Sequence, residues 1–159
     1  MLNFKKKTYK KILFSLSFAI LIIAYAIQYI LGYQPCNLCL IERVPYMLVI
    51  IILFLNYKFS KDESFYSIIL MMVITFSFFI SLYHFGIEQE FIDESQVCGT
   101  FTTDMINKDE ILKSLQKINI SCKNVAFKIF GLSLTTYNIF ISILMFLISL
   151  KIYLINNEK

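Results

Sequence analysis

Residues 12–31 constrain this chain most: twenty consecutive positions without a charged side chain. A helix of that length, rising about 1.5 Å per residue, crosses the roughly 30 Å hydrocarbon core of a bilayer and satisfies its own backbone hydrogen bonds there. Three further apolar segments follow. Residues 44–57 are short for a span and are extended outward by Cys39, Leu40 and Ile41, with Glu42 and Arg43 interrupting. Residues 65–85 carry His84 near their end, and residues 132–150 continue through Lys151 to Ile155. Four helices is the simplest count. The expected fold class is therefore all-α: an integral membrane four-helix bundle, one domain over residues 1–159, with spans near 12–31, 41–57, 65–85 and 132–155. Composition agrees, since 16% of residues are charged against about 25% in soluble domains. A disordered chain, a multi-domain enzyme and a disulfide-dense secreted mini-protein are excluded on the same grounds.

The net charge of +4 marks topology, because five of the fifteen cations, Lys5, Lys6, Lys7, Lys10 and Lys11, precede the first apolar run. Nucleic acid is not the implied partner. Cations in termini and short loops set orientation. The turn at 58–64 carries Lys58 and Lys61, and the C-terminal end carries Lys151 and Lys159, whereas the short loop at 32–38 carries none. Both termini are thus expected in the cytoplasm, with a short extracytoplasmic loop at residues 32–40 and a long one at 86–131. The first span has the basic flank of a signal peptide, but no small-x-small cleavage pattern follows, so it is read as a retained span. In the long loop, Asn107 and Glu110 make an N-cap and N3 pair, and Ile111, Leu115 and Ile118 recur at helical spacing. They predict a short helix on the membrane surface or against the bundle.

All four cysteines, Cys36, Cys39, Cys98 and Cys122, fall outside under this topology, where disulfides persist. Three pairings are open, and the C-x-x-C spacing favours Cys36 with Cys39, leaving Cys98 with Cys122. Pro45 is tolerated in a first helical turn, which predicts that the regular second helix starts near Glu42. The exposed N–H groups of that end, with Arg43 beside them, would then favour a thiolate at Cys39. Two structural readings stand beside this one: a four-cysteine zinc site, and a purely structural Cys98–Cys122 bridge worth ~3 kcal/mol by loop entropy. Arg43 also reads as a snorkelling cation with Glu42 as its partner, although a cation outside runs against the positive-inside bias and points to function. His84, the one histidine, reads as a cap on the third helix. Tyr25, Tyr29, Tyr33, Tyr46 and Tyr83 read as an aromatic belt, or as rings lining a pocket for a flat apolar ligand.

The stretch Pro35-Cys36-Asn37-Leu38-Cys39-Leu40-Ile41-Glu42-Arg43 is long and specific. With it go Tyr83-His84-Phe85-Gly86-Ile87-Glu88, Val97-Cys98-Gly99, and Cys122 through Phe130-Gly131-Leu132-Ser133. In these motifs and their order the chain resembles the bacterial disulfide bond formation protein B (DsbB) family over nearly its whole length. The resemblance implies a multi-pass inner-membrane thiol oxidase with its cysteines on the periplasmic side. It would reoxidise a periplasmic thioredoxin-like dithiol oxidase, DsbA-like, and pass the electrons to ubiquinone or menaquinone. Cys98 would form the mixed disulfide with the partner, and Cys122 would resolve it. Cys36 would exchange with Cys122, and Cys39 would face the quinone, with Arg43 and His84 beside it. No metal is implied. Lys123 and Asn124 depart from the family, in which acidic residues are frequent after the last cysteine. A quinone-linked reductase running the other way would call for a thioredoxin-like domain or a further C-x-x-C. The non-enzymatic alternative is a zinc- or disulfide-stabilised membrane scaffold without redox turnover.

Overall fold

The computed structural model describes residues 2–58, 63–93, 98, 122–123, 128–129 and 131–157. Its elements are α1 (Leu2–Tyr29), α2 (Asn37–Ile41), α3 (Arg43–Lys58), α4 (Glu63–Glu88), β1 (Lys128–Ile129), β2 (Leu132–Ser133) and α5 (Leu134–Asn157). Four helical segments, Lys6–Tyr29, Asn37–Lys58, Glu63–Glu88 and Leu134–Asn156, are long and apolar enough to cross a membrane. The fold is thus helical apart from one two-stranded hairpin among the described residues. The helix expected around residues 107–118 lies outside the described residues.

The regular helix α3 starts at Arg43, as expected near Glu42, but one further turn, α2, precedes it from Asn37, with Cys36 as its N-cap in an extended conformation (φ −71, ψ 168). Pro45 has no N–H to offer the Ile41 carbonyl, so the helix breaks at Glu42 and restarts at Arg43, where Pro45 occupies the first turn. The last helix begins at Leu134 because Leu132 and Ser133 pair back onto Ile129 and Lys128. Ser133 Oγ then accepts the Thr136 N–H at 3.3 Å as a serine cap. Gly131, at φ +82, supplies the left-handed backbone of the hairpin turn.

The long helices pack in a ring, α1 on α3, α3 on α4, α4 on α5 and α5 back on α1, with α4 and α5 making the most extensive contact. Leu13, Tyr46, Val49, Leu53, Leu70, Ile74, Met145 and Ile152 form the middle of the core. Ser17, Ser67, Ser77, Ser81, Ser142 and Ser149 are also buried, while Phe14, Phe18, Phe54, Phe76, Phe79 and Phe140 face outward. That inversion suits a bilayer, where small residues let helices approach and bulky apolar ones meet lipid. Hydrogen bonds satisfy much of the interior polarity. The Tyr46 hydroxyl bonds to Asn138, Asn138 Nδ2 donates to Ser81 Oγ at 2.8 Å, and Ser77 and Ser142 meet at 3.4 Å. At the end remote from the cysteines, Lys6 pairs with Glu63, and Lys10 Nζ donates to Asn56 Oδ1 at 2.5 Å. Asn156 Nδ2 donates to Ser67 Oγ at 2.8 Å, so this cluster ties all four long helices together.

Candidate functional site

The backbone is extended at Cys36, and the helix turns immediately after it. Cys36 Sγ consequently accepts the Cys39 N–H at 3.2 Å, and the first turn brings Cys39 Sγ to 2.7 Å from it. This corrects the expectation for Cys39: the thiol that receives the helix N–H is Cys36. Both are free thiols. Cys98 and Cys122 form a disulfide across 24 residues, their Cα atoms 5.6 Å apart. Of the two favoured pairings, one is bonded and the other stands as an adjacent dithiol. A four-cysteine zinc site is incompatible with this arrangement, because the disulfide takes two of its ligands. The two pairs are not separate features. Cys36, Leu38, Ile87, Cys98 and Cys122 pack in a single buried cluster, with Cys39 against it.

His84 does not cap α4. It is 2% exposed and lies between the dithiol and a carboxylate. Its Nε2 is 3.6 Å from Cys36 Sγ, and its Nδ1 is 3.1 Å from Glu42 Oε1. A carboxylate can only accept here, which puts a proton on Nδ1 and aims Nε2 at the thiol. The Thr135 hydroxyl lies 3.3 Å from the same Nδ1 and donates to Glu88 Oε1 at 2.7 Å. The Cys36 thiol is pulled from 9.0 down to about 5, first by the Cys39 thiol hydrogen bond and then by His84, against the opposing effect of burial.

Glu42 is also not the partner of Arg43, since adjacent helical positions do not face each other. Arg43 Nη1 instead donates to Gln28 Oε1 of α1 at 2.5 Å, and its guanidinium lies 4.9 Å above the Tyr25 ring. Both charged residues are buried in protein. Cys39 remains partly exposed, beside the outward-facing Leu40, Ile41 and Val44.

Sequence reasoning passed over Glu42 as the partner of His84, gave Glu88 no role beyond its place in a motif, and passed over Gln28 and Thr135 altogether. A signal was present. On α4, Ser77, Ser81, His84 and Glu88 fall at i, i+4, i+7 and i+11, and on α5, Thr135, Asn138 and Ser142 fall at i, i+3 and i+7. Each is a polar stripe on one face of an apolar helix.

The sequence model for Disulfide bond formation protein DsbB matches residues 6–152. The chain belongs to the DsbB family. An uncharacterized protein of Rickettsia prowazekii (strain Madrid E) is 32% identical over 150 residues, covering 87% of this chain and 84% of that protein. No solved structure matches. DsbB membership makes the chain a multi-pass membrane oxidoreductase of disulfide formation, a thiol oxidase in the general sense. The segment matched to DsbB contains all four cysteines, Arg43 and His84.

Proposed function

We propose that this protein is a thiol:quinone oxidoreductase of the bacterial inner membrane. It takes electrons from a periplasmic thioredoxin-like dithiol oxidase, DsbA-like, through Cys98–Cys122 and then Cys36–Cys39, and delivers them to ubiquinone or menaquinone. The observation that carries the reading is the shared buried cluster of a disulfide and a dithiol, because exchange requires one sulfur to reach another. The chain acts as one domain over residues 1–159, with both termini cytoplasmic and the cysteine end periplasmic, as the distribution of cations supports.

In the first exchange a partner thiolate attacks Cys98, and Cys122 leaves as a thiolate. The partner's second thiolate attacks the mixed disulfide, so the partner departs oxidised and Cys98 and Cys122 hold two electrons and two protons. In the second exchange Cys122 attacks Cys36 of the oxidised Cys36–Cys39 pair, expelling Cys39. Cys98 then attacks Cys122, which restores that disulfide and releases Cys36. A low thiol pKa makes Cys36 a good leaving group, and stabilising its thiolate draws electrons toward the second pair. His84 Nε2 is placed to take or return the proton at Cys36 Sγ, while Glu42 holds the ring in register.

The residues beside Cys39 fit a quinone. Cys39 is partly exposed and neighbours outward-facing apolar side chains, and Arg43 and Tyr25 offer a cationic donor and a flat aromatic face. A bound quinone supplies an acceptor for two electrons and two protons. Arg43 would hold its oxygen by a charge-assisted hydrogen bond, and Cys39 would face its ring. Replacing Cys122 with Ser tests the donor assignment by trapping on Cys98, under oxidising conditions, a thioredoxin-like partner whose own second active-site cysteine is replaced by Ser. A disulfide-linked thioredoxin-like protein is expected by mass spectrometry, and recovery of none would overturn the assignment.

A further inference from the structure

We propose that the reduced Cys36–Cys39 pair and His84 form a binding site for a single thiophilic divalent cation of the zinc and cadmium class, a site that exists only while the pair is reduced. The three donor atoms lie within 4.8 Å of one another. In a tetrahedral site with Zn–S of about 2.3 Å and Zn–N of about 2.0 Å, sulfur and nitrogen stand about 3.5 Å apart. Cys36 Sγ and His84 Nε2 are already 3.6 Å apart. Two sulfurs in such a site stand about 3.8 Å apart, whereas Cys36 and Cys39 Sγ are 2.7 Å apart. Rotation of one cysteine side chain opens that edge. Cys39 is the one with room to rotate, being the partly exposed member of the set, and it also gives the ion its way in.

The donor set is two thiolates and one imidazole with the fourth position open, a combination that suits zinc. The residue behind the imidazole strengthens the case. Glu42 Oε1 lies 3.1 Å from Nδ1, the carboxylate–histidine arrangement that fixes the tautomer of a metal-ligating ring and raises its basicity. A dithiol alone would offer two ligands and no such support. As each metal–sulfur bond forms, any proton remaining on the sulfur passes to solvent. Two thiolates neutralise the dication, and no electrons move. Because the ion and the Cys36–Cys39 disulfide compete for the same two sulfurs, a loaded chain cannot complete electron delivery until the ion leaves. The binding claim itself does not depend on the quinone reading.

The test uses the full chain in detergent with Cys98→Ser and Cys122→Ser, so that Cys36 and Cys39 are the remaining thiols, reduced with a phosphine and titrated with cadmium. The sulfur-to-cadmium charge-transfer band in the ultraviolet should saturate at one equivalent and be absent after oxidation of the pair. Glu42→Ala should weaken affinity by about 10- to 100-fold, and His84→Ala by at least as much, with helicity by circular dichroism confirming that each variant is folded. Should either variant lose its fold, Cys39→Ser serves in its place and should lower both the affinity and the intensity of the band, one sulfur remaining of two. Absence of saturable binding, one ion shared by two chains, or undiminished affinity in folded His84→Ala would overturn the proposal.

Discussion

Replacing His84 with Ala should lower the reduction potential of the Cys36–Cys39 pair. The Cys39 thiol hydrogen bond, and after it His84, pull the Cys36 thiol from 9.0 down to about 5. A depressed pKa stabilises the folded dithiol fully above the ordinary value, and the advantage is lost as pH falls through the folded one. At pH 7 part of that depression is expressed, and it favours reduction of the pair. His84 supplies part of this through its contact with Cys36 Sγ at 3.6 Å. A hydrogen bond to a charged group is worth about 1.5–3 kcal/mol, equivalent to moving a pKa by about 1–2. Raising Cys36 by that amount lowers the pH 7 potential by about 30–50 mV. The measurement is equilibration of the Cys98→Ser, Cys122→Ser chain with graded glutathione buffers, followed by acid quench and mass-tagged alkylation. The gap between this chain and the one that also carries His84→Ala should vanish below pH 5, where Cys36 is protonated in both. An unchanged or raised potential, or a gap that persists in acid, would refute the reasoning.

Arg43→Lys keeps the charge but loses the planar group that stacks on Tyr25 and reaches Gln28. Quinone KM should rise about tenfold, equivalent to about 1.4 kcal/mol, while the rate of exchange at Cys98 is unchanged; equal losses in both steps would contradict the placement of Arg43. Asn138→Leu takes one partner from the buried Tyr46 hydroxyl, which keeps Ser77 and Ser142, and breaks the link to Ser81, and should cost about 1 kcal/mol in detergent unfolding titrations, with an unshifted midpoint counting against the network. Gly131→Ala meets no atom within 4 Å but forces alanine to φ +82. It should cost about 1–2 kcal/mol by the same assay, and a neutral result would show that the hairpin adjusts.

The four spans were legible because lipid demands long uncharged runs, and the DsbB motifs were legible because their residues lie close together in sequence. The extra turn that precedes the second long helix was not. Pro45 suits the first turn of a helix but equally interrupts a longer one, and only the extended backbone at Cys36 decides between these. That added turn gives the helix N–H to Cys36 and not to Cys39. The pairing of Glu42 with His84 joins residues 42 positions apart, so it depends on how α4 packs against the cysteine turn, which local patterning does not encode. Read locally, Arg43 found its nearest opposite charge in Glu42, whereas helical geometry sends the two side chains to different neighbours.

The central claim is that the Cys36–Cys39 dithiol gives its electrons to a quinone through Cys39. Mixing the pre-reduced Cys98→Ser, Cys122→Ser chain anaerobically with a soluble quinone measures this in a single turnover. One quinol and one Cys36–Cys39 disulfide per chain are predicted, with none when Cys39 is also Ser. Quinol formed undiminished without Cys39, or no quinol from the intact dithiol, would contradict the account.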